Sequence, residues 1–380
     1  MKPVPEPLPL RQVDDRFITR PLSICLDLVR FTAALVVLVC HAAQSKLYSG
    51  WFPDIPLAQH YAVVVFFVLS GLVIATSAQH RRLTFTQYAI ARAARILPVS
   101  ISALAFATLA FVIVTSLGGS AMHTDTYGDL SWRGVLLPLV FLSESTWGAG
   151  PVWNPPYWSL CYEVWYYALF GAAVYLRGPR RIMALVAATL LAGPRVLLLM
   201  PIWLVGVVLA LTPQARRNSP WTGALLVIAG LAGAWFHTAW VMPGLHLIKS
   251  LTAPFEMQLS FSRFALSDLL LGLAVAATFA GLRPLCNRWP QPWLALERPA
   301  RTVAGFSFTL YLFHWPLLLL AKTVGLVAGR SGPGFAIEII AIVAITYLIS
   351  LGTERQRDRV RGWLETLAAR LHARRVPMAT

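Results

Sequence analysis

Long apolar runs recur along this chain from near residue 22 almost to residue 352, and no other feature limits its fold so strongly. A hydrocarbon core about 30 Å thick takes roughly 20 apolar residues per helix, and backbone polar groups in lipid must be satisfied within the protein. With 57% hydrophobic and 13% charged residues over 380 positions, no stretch is left for a separate soluble catalytic domain. The expected fold is all-α, a polytopic integral membrane helix bundle of about ten transmembrane helices. Its chemistry must then sit in or at the bilayer.

The expected spans are 22–43, 60–78, 96–117, 156–176, 181–194, 196–212, 221–241, 264–282, 302–328 and 335–352. They divide the chain into an N-terminal segment, 1–21, a transmembrane domain, 22–353, and a basic tail, 354–380. A cleaved signal peptide ending near His41-Ala42-Ala43 is disfavoured, because Arg30 lies within the apolar run and many more spans follow. Within 181–212, Gly193-Pro194 interrupts an apolar stretch too long for one span and short for two. A hairpin or two broken half-helices fits better than one span, which would put every later basic cluster outside.

Charge sets the orientation. If the N-terminus is cytoplasmic, that side receives Lys2, Arg11, Arg16 and Arg20, then Arg81, Arg82, Arg92 and Arg95, and then the clusters around Arg180, Arg217 and Arg288. The tail adds seven arginines, from Arg355 to Arg374 and Arg375, whereas the other side receives only Lys46, Arg133, Arg195, Lys249, Arg263 and Arg330. This is the positive-inside bias, and it implies an even number of spans with both termini cytoplasmic. The formal charge of +16 therefore reports topology; short basic clusters between apolar runs form no nucleic-acid face. The tail after Glu354 reads as a basic amphipathic helix on the lipid bilayer's inner leaflet.

Cys25, Cys40, Cys161 and Cys286 are scattered without a CxxC, so neither a disulfide nor a metal cluster is expected. Asp125 and Asp129 form no metal motif either. Two segments on the outer side, 118–155 and 242–263, are long enough to matter. The first leads into an aromatic stretch, Trp147, Trp153, Tyr157 and Trp158, for which two readings stand: interfacial anchors, or a stacking wall for a sugar.

Ionisable groups inside hydrocarbon are costly and mark function. Asp27 and Arg30 share a helical face at i and i+3 and can pair. His41 follows Arg30 by eleven residues, roughly 16 Å further along nearly the same face. Arg30 is either a functional cation or a snorkelling one, and His41 either a reactive imidazole or a helix-end residue. Glu163 needs an arginine or histidine partner, or else is protonated against a neighbouring helix. His314 stands equally as a functional or a packing histidine.

Five segments then carry a resemblance. Arg30 to His41 is an R-x10-H element led by Asp27; Phe66-Phe67-Val68-Leu69-Ser70-Gly71 is an FFxLSG element; and Arg92-Ala93-Ala94-Arg95 is an R-x-x-R segment closed by Pro98. Trp158-Ser159-Leu160-Cys161-Tyr162-Glu163 fits W-S-L-x-x-E, and Ser307 to Pro316 fits S-Y/F-x-x-Y-L-x-H-x-P. In this order they resemble the acyltransferase-3 family of membrane acyltransferases, over about residues 24–354. That family includes O-antigen, exopolysaccharide, nodulation-factor and macrolide acylating enzymes. The chain departs from some relatives at Val64, where they carry Asp, and after Glu354, where many carry Pro two residues on.

The resemblance implies an inner-membrane O-acyltransferase, moving an acyl group, acetyl foremost, from cytoplasmic acyl-CoA to a hydroxyl on a glycan or other envelope or secreted acceptor. Acetyl-CoA is then co-substrate and no metal is needed. Catalytic roles fall to His41 as base, Arg30 on the thioester path and Glu163 orienting the imidazole or pairing an arginine. Arg92 and Arg95 suit the CoA phosphates, and backbone amides near Ser70-Gly71 the oxyanion. Asp27, Trp158, Tyr311 and His314 are the expected substrate-side residues. The competing classes are a lipid-linked sugar flippase, which would move substrate without consuming acetyl-CoA, and a membrane glycosyltransferase, which would need a sugar donor.

Overall fold

The computed structural model describes residues 16–52, 57–80, 83–117, 130–146, 148–253 and 256–373. Of the residues singled out above, Lys2, Arg11, Arg81, Arg82, Asp125, Asp129, Trp147, Arg374 and Arg375 lie outside these segments. The described chain is helical: α1 (Arg20–Gln44), α2 (Ala58–His80), α3 (Phe85–Ser116), α4 (Trp132–Leu139), α5 (Trp158–Tyr175), α6 (Gly178–Leu211) and α7 (Pro220–Phe236). There follow α8 (Val241–Thr252), α9 (Ala265–Arg288), α10 (Pro290–Ala295), α11 (Glu297–Ala304), α12 (Ser307–Thr323), α13 (Gly332–Gly352) and α14 (Arg357–Ala373).

Polar residues at the edges of the apolar runs set the helix starts. Thr84 caps α3 in a reciprocal box with Gln87. Ser219 and Ser331 cap α7 and α13, each followed by a proline in the first turn. The N-terminus of α12 is served from a distance, by the Glu354 carboxylate accepting from the Thr309 amide at 3.0 Å.

In the core, α2 lies against α6 with Gly71 facing the Trp203 carbonyl and Gly206 facing the Val68 carbonyl, so that a Cβ at either would collide with backbone. Such close approach is how helices associate where lipid removes the hydrophobic drive. One end of the bundle is rich in arginine. There Arg283 donates to the carbonyls of Phe17 and Arg16, at 3.0 and 3.2 Å, and to that of Arg216, tying the start of the chain to the ends of α6 and α9.

Seven described helices are long and apolar enough to cross a membrane, or eight when α11 and α12, bent by 46°, count as one span. The expected ten are not reached on these grounds, for two physical reasons. The 18 residues of α5 include Glu163 and several tyrosines and tryptophans, which lower its hydropathy. The 34-residue α6 counts once, although Gly193 breaks it with φ 78° and ψ 172°. Tyr175, just before α6, lines a chamber with Ser77 and Ala78, and Arg216, just after it, reaches Gln79 at 3.3 Å. Both ends of α6 therefore lie at the same end of α2. The bend lies at the opposite end, with Arg195 3.7 Å from Glu144 and Gly193 against Thr146.

The outer-segment expectations need correction. Trp153, Tyr157 and Trp158 are 1%, 0% and 6% exposed, too deep for an interfacial belt and closed to a sugar. The Tyr157 hydroxyl donates to the Pro138 carbonyl at 3.1 Å, and Trp158 stacks on Phe261 at 4.7 Å, so both fill the helix packing. The expected loop 242–263 instead carries α8 and a 3₁₀ turn, Glu256–Phe264.

Candidate active site

The flagged polar residues gather in two places, joined through Tyr311. At the arginine-rich end, Arg30 of α1, Ser70 of α2, Arg92 and Arg95 of α3, Glu163 of α5 and Tyr311 of α12 all line a narrow cavity of about 70 Å³. It opens into two polar chambers of about 340 and 280 Å³, which share Val73, Ser77 and Arg95 as walls. Arg30 of α1 and Tyr311 of α12 come from opposite ends of the sequence, and only the fold brings them to one cavity.

The cavity wall is a hydrogen-bonded chain. Trp203 Nε1 donates to Ser70 Oγ at 3.1 Å, Ser70 Oγ lies 3.0 Å from the Tyr167 hydroxyl, and that hydroxyl donates to Glu163 Oε1 at 2.5 Å. With the phenol proton committed to the carboxylate, Ser70 donates to Tyr167. The Arg92 guanidinium lies 5.8 Å over the Tyr167 ring. Glu163 thus stands with Tyr167 in the cavity that Arg92 and Arg95 line, and of its two expected roles this position favours the one beside arginines. The Ser70-Gly71 amides lie mid-way along α2, where each N–H is engaged by the carbonyl four residues earlier. They are not free to hold an oxyanion.

Asp27 does pair with Arg30, at 3.4 Å, but its tighter partner is Arg301 of α11, at 2.5 Å. Each carboxylate oxygen thus meets an arginine, which ties Arg30 to Arg301 at the wall of the chamber that Asp27 lines. Arg301 escaped the sequence reading because in sequence it is one more basic loop residue.

His41 and His314 form the second centre. Nδ1 of His41 lies 2.8 Å from Nε2 of His314, and Nδ1 of His314 lies 2.6 Å from the carbonyl oxygen of Tyr311. A carbonyl only accepts, so His314 carries its proton on Nδ1 and, when neutral, offers a bare Nε2. His41 then donates through Nδ1 and keeps a lone pair on its own Nε2, which has no partner among the described residues. The Trp315 ring packs edge-on against His41 at 4.8 Å and fixes its tilt. His314 is fully buried, whereas His41 is partly open. Tyr311 joins the two centres: its hydroxyl donates to the Pro156 carbonyl at 3.1 Å and accepts from Ser159 at 2.6 Å, pinning its ring at the cavity end.

The family model described as an acyltransferase domain, that of acyltransferase-3, matches residues 23–355. The chain belongs to the acyltransferase-3 family. Acyltransferase MdmB of Streptomyces mycarofaciens is 33% identical over 147 residues, covering 37% of this chain and 36% of that protein. The match therefore spans about a third of the relative's length. No solved structure matches.

For a member of this family, two buried groups were missed in the sequence. His60 Nε2 and Asp268 Oδ2 are 2.8 Å apart, both 2% exposed, under Trp158, Phe261 and Phe264. The rule that singled out Asp27 applies to both, since each falls inside an apolar run. Tyr167 was equally findable, one helical turn after Glu163.

Proposed function

We propose that the protein is an inner-membrane O-acyltransferase that takes an acyl group, acetyl foremost, from cytoplasmic acyl-CoA and places it on a hydroxyl of a glycan or other envelope or secreted acceptor. One observation carries the reading: the lone pair left on His41 Nε2 by the His314–Tyr311 hydrogen-bond sequence. Tyr311, whose carbonyl holds His314, also lines the arginine-rich cavity. His41 takes the acceptor's hydroxyl proton as its oxygen attacks the thioester carbonyl. The tetrahedral oxyanion then collapses, the C–S bond breaks, and the CoA thiolate recovers the proton from the imidazolium.

The spacing separates roles that the motifs had merged. Eleven residues of α1, roughly 16 Å at helical rise, lie between Arg30 and His41. Arg30, Arg92, Arg95 and Glu163 are assigned to the donor's passage, and His41 and His314 to the reacting bond. The narrow cavity suits a pantetheine arm and not a nucleotide, which leaves the nucleotide in the wider chambers on the cytoplasmic side.

Incubating the purified protein with acetyl-labelled acetyl-CoA and a hydroxylated glycan tests this. Label on the acceptor with stoichiometric CoA thiol release is expected. Movement of a lipid-linked sugar without thiol release would make the protein a flippase instead.

A further inference from the structure

The tail helix α14 lies beyond residue 355, where the family match ends, yet it packs against α3 and closes the chamber of about 280 Å³. Arg357 and Arg361 line that chamber from α14, Arg92 and Arg95 from α3, and Tyr175 from the end of α5. Arg357 and Arg361 are one helical turn apart and share a face. Their in-helix partners Asp358 and Glu365 engage only the Nε of each, so the terminal nitrogens of both guanidinium groups remain for another acceptor. Four cations and one carboxylate, Asp358, line this small space, and the excess positive charge favours an anion within it.

Two further atoms point to a missing occupant. Arg92 Nε and the Tyr175 hydroxyl are buried with no hydrogen-bond partner among the described residues, and a buried polar atom left so is costly. The same chamber shares Val73, Ile74, Arg92 and Arg95 with the narrow cavity. A ligand with a polyanionic head in the chamber could therefore send a thin chain toward Tyr311.

We propose that this chamber holds the phosphorylated nucleotide end of the acyl donor, and that Arg357 and Arg361 grip its ribose 3′-phosphate. The inference rests on the acyl-CoA reading above. The diphosphate adjoins the pantetheine arm and so falls to Arg92 and Arg95 at the cavity mouth. The ribose phosphate lies further out, where α14 stands. The tail helix is thereby part of the donor site and not only a membrane-surface segment.

The test compares binding of CoA and of 3′-dephospho-CoA to the purified full chain, by calorimetry in detergent, for wild type, Arg361→Gln and the Arg357→Gln, Arg361→Gln double variant. These side chains are 39% and 53% exposed, and monodispersity with an unchanged melting temperature verifies that the variants fold. Wild type is expected to prefer CoA by about tenfold or more, as charge-assisted phosphate contacts give; the double variant loses that preference and binds CoA as weakly as wild type binds the dephospho form. A wild type that binds both alike, or a double variant that keeps the full preference, overturns the assignment while leaving the acyl-CoA reading intact. If instead the double variant binds CoA normally and loses affinity only for phosphatidylglycerol nanodiscs, the arginines hold lipid headgroups and the proposal fails. Folded wild type that binds neither nucleotide removes the acyl-CoA reading itself.

Discussion

Nδ1 of His41 and Nε2 of His314 are 2.8 Å apart, and the second ring is held by its own Nδ1 to the Tyr311 carbonyl. The pair fixes which nitrogen of His41 is basic. His41→Ala should lower acyl transfer by about 100- to 10,000-fold, the range of general-base loss, with donor affinity nearly unchanged. His314→Ala should fall short of that, and His314→Gln, whose carbonyl oxygen can still accept from His41, should recover part of the rate and keep the pH profile of the wild type. Steady-state kinetics on matched detergent preparations separates the cases. Turnover above about a tenth of wild type in His41→Ala would transfer the base role elsewhere, since a base accounts for at least ~100-fold.

Tyr167→Phe removes the proton that Glu163 accepts and the acceptor that Ser70 uses. Two half-buried groups each lose a partner, a loss of about 0.5 to 3 kcal/mol apiece, while Ser70 keeps the bond from Trp203. A drop in melting temperature should accompany weaker donor binding. A variant as stable as wild type would mean that water replaces the hydroxyl and that the chain Trp203–Ser70–Tyr167–Glu163 is not structural.

Asp27→Ala removes a carboxylate shared by Arg30 and Arg301, leaving Arg301 only its longer pair with Glu297 at 3.8 Å. Asp27 is 8% exposed, so the loss should approach the 3–5 kcal/mol of a broken buried pair and exceed the roughly 1 kcal/mol of an exposed one. Arg301→Ala should cost less, because Arg301 is 46% exposed and Arg30 still neutralises the carboxylate. Thermal unfolding in detergent ranks the two, and the reverse order would refute the assignment of Asp27 as the shared anchor.

Much of this was legible in the sequence because a charge in an apolar run has few structural excuses. Asp27, Arg30, His41 and Glu163 stand out that way, and two of them, Arg30 and Glu163, line the arginine-rich cavity. Partners between helices were not legible, since they depend on which helices touch. Glu163 finds Tyr167 one turn on in its own helix, within reach of a sequence reading, whereas His41 of α1 finds His314 of α12, 273 residues on. The aromatic stretch misled for a related reason: tryptophan and tyrosine suit an interface and a core equally. Only the burial of Trp153 and Tyr157 decides for the core. Arg357 and Arg361 looked like topology signals, because nothing local shows that α14 folds back onto α3.

The bend in α6 makes a topological prediction. A straight helix of 34 residues would be about 50 Å long, well beyond the roughly 30 Å hydrocarbon core, and would leave its ends on opposite sides. The structure instead brings Tyr175 and Arg216 to one end of α2 and Arg195 to the other. Reporters fused after Arg177 and after Arg217 should therefore read the same side, cytoplasmic by the arginine distribution, and one inserted at Arg195 the opposite side. Gly193 enables the reversal, with φ 78° and ψ 172° in a region reserved in practice for glycine. Gly193→Ala should cost about 1 to 3 kcal/mol of strain and lower the melting temperature. Opposite readings at Arg177 and Arg217 would make α6 a single tilted span, and the side of the membrane assigned to Arg283, Arg301 and α14 would be reversed with it.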